Sequence, residues 1–131
     1  MAKLNILLVD DDYTLASSTA KLIHRLGRHQ VYVTDEPEEI FRRCEAGDID
    51  LIMMDVNLPE AQWQGQPVSG ADLARILKNQ SHTAHIPIIL VTAYAMVAER
   101  KALLASSQAD DFCAKPITDY QALLELINQL C

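Results

Sequence analysis

The stretch Ile52–Gly70 reads IMMDVNLPEAQWQGQPVSG, and its reading decides the fold. An apolar run ends on one carboxylate, Asp55, and gives way to a polar loop with Pro59, Pro67, two glycines and the only tryptophan, Trp63. Successive apolar residues without alternation suit a strand covered on both faces. Asp55 then stands at the strand's carboxyl tip, held by a rigid scaffold.

Working outward, NILLV (5–9), DLIMM (50–54) and PIILV (87–91) share this character, QVYVT (30–34) is β-branched and alternating, and DDFCA (110–114) is a weaker fifth strand. Between them lie helical periods: Leu15, Thr19, Leu22 and Leu26; Ile40, Phe41 and Cys44; Leu73, Ile76 and Leu77; Val97, Leu103 and Leu104; Leu123, Leu124, Ile127 and Leu130. Gly27 and Gly47 sit where helices stop, and Pro37 and Thr118 where they start. The order is (βα)5, an α/β fold with a doubly wound parallel five-stranded sheet covered by helices on both sides and joined by right-handed crossovers.

At 131 residues the chain makes one domain, 1–131, with an inserted loop at about 60–69. No window approaches the roughly 18 apolar residues of a membrane span, and the N-terminal apolar run leads into three acids rather than a cleavage site. These features point to the cytoplasm. Cys44, Cys113 and Cys131 follow no disulfide or zinc spacing and read as reduced thiols. A net charge of −7 speaks against direct nucleic-acid binding, which needs a basic face. His24, His29, His82 and His85 show no ligand spacing and read as surface or helix-end residues.

In doubly wound sheets, sites form outside the carboxyl ends of the strands. Here those ends carry Asp10, Asp11 and Asp12, then Asp55, Thr92, and Lys115 with Pro116. Three carboxylates in one crevice repel one another, and a hard divalent cation such as Mg²⁺ relieves that repulsion, with Mn²⁺ as a substitute. Carboxylates, a metal, a hydroxyl and an ammonium together suit phosphoryl transfer, with one carboxylate as nucleophile.

On LLVDDD (7–12), MMDVNLP (53–59), ILVTA (89–93) and FCAKPI (112–117), the chain resembles the receiver domains of two-component response regulators, of the single-domain, chemotaxis-regulator-like type. The resemblance implies flavodoxin-like strand order 2-1-3-4-5. It implies that Asp55 accepts a phosphoryl group from a phosphohistidine on a sensor kinase or phosphotransfer protein. Asp11 and Asp55 would bind Mg²⁺ through carboxylates, Asn57 through its backbone carbonyl, and Asp10 through a water. Thr92 and Lys115 would contact the phosphoryl oxygens, the Lys115–Pro116 peptide would be cis, and Asp12 would cap the first helix. Phe112 stands where the family has its switch aromatic, and without a hydroxyl its signal would be steric. Asn57 and Tyr94 stand where side chains tune attack by water. The output surface would be the fourth helix, fifth strand and fifth helix, docking a downstream protein effector. No output domain follows the last helical pattern within these residues, as in regulators that act by docking.

One feature departs from the family pattern: EAQWQGQPVS separates Pro59 from Gly70, where a glycine normally follows sooner. Its composition suggests an exposed loop without regular structure, with Trp63 as a partner contact. A second reading comes from DDDYT (10–14), which resembles the nucleophile motif of haloacid-dehalogenase-type phosphatases, with Asp10 as nucleophile and Asp12 as acid/base. It leaves Asp55 without a role and lacks that family's acidic pair after the lysine.

Overall fold

The computed structural model describes residues 3–93 and 97–131. Its order is β1 (Asn5–Val9), α1 (Tyr13–Gly27), β2 (Gln30–Thr34), α2 (Pro37–Glu45), β3 (Leu51–Asp55), β4 (Gln62–Trp63), β5 (Gln66–Pro67), α3 (Gly70–Lys78), β6 (Ile88–Thr92), α4 (Val97–Ser107), β7 (Asp111–Ala114) and α5 (Tyr120–Leu130). The main sheet runs β2-β1-β3-β6-β7, every pairing parallel, which is the expected 2-1-3-4-5 order once the small β4–β5 hairpin is set aside.

Side chains alternate across the sheet, so the central strands supply two cores. Leu7, Val9, Ile52, Met54, Ile88 and Leu90 face one side with Ile40 and Phe41 of α2 and Leu73 and Leu77 of α3. Ile6, Leu8, Leu51, Met53, Ile89 and Val91 face the other with Ala16 and Ile23 of α1 and Leu123, Leu124 and Ile127 of α5. Every residue of β3 and β6 is buried, which is why these strands read as unbroken apolar runs.

Several expectations need correction. The leucine stripe of α1 is not its core face: Ala16, Thr19 and Ile23 are buried, while Leu15 and Leu26 are 43% and 55% exposed. Ala16, Thr19 and Ile23 set the phase of the packed face, which leaves Leu15 and Leu26 outside the contact. Val97, at the start of α4, is likewise exposed. His29 is buried, its Nδ1 accepting from the Leu4 N–H at 3.2 Å, and burial pushes its pKa down.

Helix ends follow local chemistry. Asp12 caps α1 through the Leu15 N–H, Pro37 opens α2, Ser69 and Asp72 form a reciprocal capping box on α3, and Asp119, one residue past Thr118, caps α5. At the end of α1 the left-handed cap is Arg28 (φ 61°), not Gly27. Gly27 has a packing role, because a Cβ there would lie 2.7 Å from Leu124 Cδ2 of α5.

The insertion is structured, contrary to the expected irregular loop. Gln62–Trp63 pairs antiparallel with Gln66–Pro67 around a two-residue turn in which Gln64 and Gly65 both take positive φ (53° and 77°). Trp63 stacks on Phe41 of α2, ring centroids 4.2 Å apart. Trp63→Ala is therefore expected to release the hairpin, costing about 2 kcal/mol of stability and opening Gln64–Gly65 to proteolysis. An unaltered cleavage pattern would contradict this anchoring role.

Candidate phosphoacceptor site

The sheet brings the strand-end residues to one rim. Asp10, Asp55 and Thr92 are buried there at the tips of β1, β3 and β6, while Asp11 is exposed. The tips are fixed by backbone hydrogen bonds from Val56 N–H to Val91 C=O and from Lys115 N–H to Thr92 C=O.

Lys115 Nζ lies 2.8 Å from Asp55 Oδ2 and 3.4 Å from Asp10 Oδ2, joining residues 60 and 105 positions apart in the chain. Asp55 Oδ1 accepts from the Asn57 N–H at 3.1 Å, and Asp10 Oδ1 from the Asp12 N–H at 2.9 Å. Burial alone would favour the neutral amine of Lys115. The hydrogen bond and charge of Asp55, followed by those of Asp10, outweigh it and hold the ammonium above the ordinary lysine value. The Lys115–Pro116 peptide is cis, as expected.

Oxygens of Asp10, Asp11 and Asp55 lie within 4.8 Å of one another. Three hard oxygen donors held this closely, with one lysine to offset them, fit Mg²⁺ better than softer metals. Those of Asp11 and Asp55 open on a crevice of about 460 Å³ lined also by Asn57, Ser69, Thr92 and Lys115. A second cleft of about 480 Å³ adjoins Asp11, walled by Asp35 and Glu36 on one side and by Pro59 and Glu60 at the base of the hairpin on the other.

Two contributors escaped the sequence reading. Gly70 packs on the backbone at the tip of β3: its N–H donates to Val56 C=O at 2.9 Å, and a Cβ would collide with the Asp55 carbonyl. Ser69 is brought to the crevice wall by the same turn; the S-x-x-D capping pattern at 69–72 was its available signal. Phe112 is half-buried on β7 against the core shared with α2 and α3, with the Arg100 guanidinium 4.7 Å from its ring centre. Tyr94 lies outside the described residues.

These features define a doubly wound domain with an acidic, lysine-bridged pocket at its strand tips, and the chain belongs to the response regulator receiver domain family, which it matches over residues 6–128. It is 31% identical, over 93% of its own length, to the CAI-1 autoinducer sensor kinase/phosphatase CqsS of Vibrio cholerae, but spans only 16% of that protein. It is 26% identical, over 88% of its length, to the chemotaxis protein CheY-3 of the same species and spans 82% of it. Among solved structures it is similar to the receiver domain of a sensor histidine kinase from Pseudomonas aeruginosa, described with a magnesium ion in its active site cleft. That match has 28% identity, covers 98% of this chain and 96% of the other, and has a TM-score of 0.75. Among the described residues no helix is long and apolar enough to cross a membrane.

The hydrolase reading loses its support at Asp12. That carboxylate accepts the Leu15 N–H at 3.1 Å as a helix cap, while Asp55, which the hydrolase leaves idle, takes the closest contact with Lys115.

Proposed function

We propose that this domain takes a phosphoryl group onto Asp55 from a phosphohistidine of a sensor kinase or phosphotransfer protein, acting as a signalling acceptor rather than a multiple-turnover enzyme. The observation that carries the reading is Lys115 bridging Asp55 and Asp10 at the mouth of the crevice. An Asp55 carboxylate oxygen attacks phosphorus, the P–N bond to the donor imidazole breaks, and a P–O bond forms. The Lys115 ammonium is already in place to face the charge on the phosphoryl oxygens, so little reorganisation is needed.

Asp11 and Asp55 would hold Mg²⁺ by carboxylates, Asn57 by its carbonyl and Asp10 through water, with Mn²⁺ as a substitute. When bound, the cation neutralises charge on the transferring group. Thr92, at the tip of β6, donates its hydroxyl to a phosphoryl oxygen. The added charge of up to about two units draws Thr92 inward, and Phe112 responds sterically, altering the α4–β7–α5 surface that a protein effector reads. Arg100 over the Phe112 ring ties that motion to α4. Asn57 and Tyr94 would tune hydrolysis. The hairpin, as a wall beside Asp11, would govern access or partner choice, with Trp63 as its anchor and contact. A cytoplasmic setting and protein partners are part of this reading, as the net charge of −7 favours protein over nucleic-acid partners.

Incubation with acetyl phosphate tests this. Phosphorylation is expected to require Mg²⁺ or Mn²⁺ and to vanish with chelator; phosphorylation undiminished by chelator would overturn the metal assignment.

A further inference from the structure

We propose that the C-terminal end of α1 carries an anion-binding patch that takes a short, acidic protein segment. Lys21, His24, Arg25 and Arg28 recur at i, i+3, i+4 and i+7, one helical face, and Lys3 joins them around a concavity of about 600 Å³. All five are exposed, and among the described residues none of Lys3, Lys21, Arg25 and Arg28 takes part in a salt bridge.

This clustering runs against the chain's overall charge. Lys3, Lys21, Arg25 and Arg28 are four of 11 lysines and arginines; the seven that remain face 18 acids, leaving −11 over the rest of the molecule. The helix C-terminus attracts cations and explains part of the grouping. It does not explain Lys3, which arrives from the strand side, nor an arginine in the left-handed cap. Arg28 holds φ 61°, a conformation that favours glycine, so its side chain is kept at a conformational cost.

The charge pattern also selects the occupant. The basic face covers about 10 Å of helix at 1.5 Å per residue, and screening confines its field to about 8 Å at physiological salt. A duplex or an anionic membrane extends past that range and meets the acidic remainder, whereas a short carboxylate-rich segment does not. The patch lies at the far end of α1 from the Asp10–Asp12 corner, about 20 Å along the helix, so it can be occupied independently of Asp55.

The test is fluorescence anisotropy with a labelled peptide of alternating glutamate and glycine, run beside an oligonucleotide and phosphatidylserine vesicles. The peptide is expected to bind best, to weaken roughly tenfold between low and physiological salt, and to lose binding in Lys21→Glu/Arg25→Glu. Leu26→Ser, about 150° around the helix from the basic face, is expected to leave binding unchanged. Arg28→Gly is a separate check, because it should weaken binding while raising Tm. Phosphorylation at Asp55 should be unchanged in all three variants. Equal peptide binding by the charge-reversed variant, no binding by the wild type, or preferential binding of the oligonucleotide or the vesicles would each overturn the proposal.

Discussion

Gly70→Ala is expected to destabilise the domain by at least about 3 kcal/mol, within the range of severe overpacking, and to abolish phosphorylation. The added methyl would collide with the Asp55 carbonyl oxygen and come within 2.8 Å of its carbonyl carbon and 3.0 Å of Met54 Cγ. Those atoms are backbone and fully buried core, which cannot turn aside as a surface side chain would. Either α3 must lift or the tip of β3 must shift, and a shift there moves the acceptor carboxylate. Chemical denaturation with acetyl-phosphate labelling checks both effects; a stable, fully labelled variant would contradict the close packing described here.

Lys115→Met is the second large effect. It leaves Asp10 and Asp55, 6% and 4% exposed, facing each other without their common cation. Removing one partner of a buried ion pair costs about 3 kcal/mol, and loss of the fixed positive charge should slow phosphorylation by about a hundredfold or more. Added Mg²⁺ is expected to restore part of the stability, because it replaces charge at the same carboxylates, but little of the rate. The wild type also carries a pH signature. The folded lysine titrates above its ordinary value of 10.5, so the pair's stabilisation is complete below about pH 10.5 and is lost as pH rises through the folded value. Lys115→Met should lack that alkaline component; an identical alkaline profile in both proteins would argue against the bridge.

The legible part of the sequence was the part that burial constrains most. β3 and β6 are buried at every position, so their apolar runs announced themselves, and the polar residues ending them could be read as a shared rim. α1 was misphased because Ala16 and Ile23, not the exposed Leu15 and Leu26, pack into the core; a count of large apolar side chains favours the leucines and overlooks Ala16. The hairpin at 62–67 was missed because its decisive interaction, Trp63 on Phe41, joins residues 22 positions apart and leaves no local trace. Only Gly65 in its turn was a cue, and Gln64 at positive φ masked it. Gly70 was recognised as displaced from the usual pattern, but its reason, contact with the acceptor's own carbonyl, is visible only in three dimensions.

The most direct test of the account is mapping of the phosphoryl adduct by mass spectrometry after brief exposure to acetyl phosphate and Mg²⁺. A single adduct on the peptide containing Asp55, absent from Asp55→Asn and retained in Asp12→Ala, is the predicted result. An adduct on Asp10, or steady release of inorganic phosphate that survives Asp55→Asn, would contradict it.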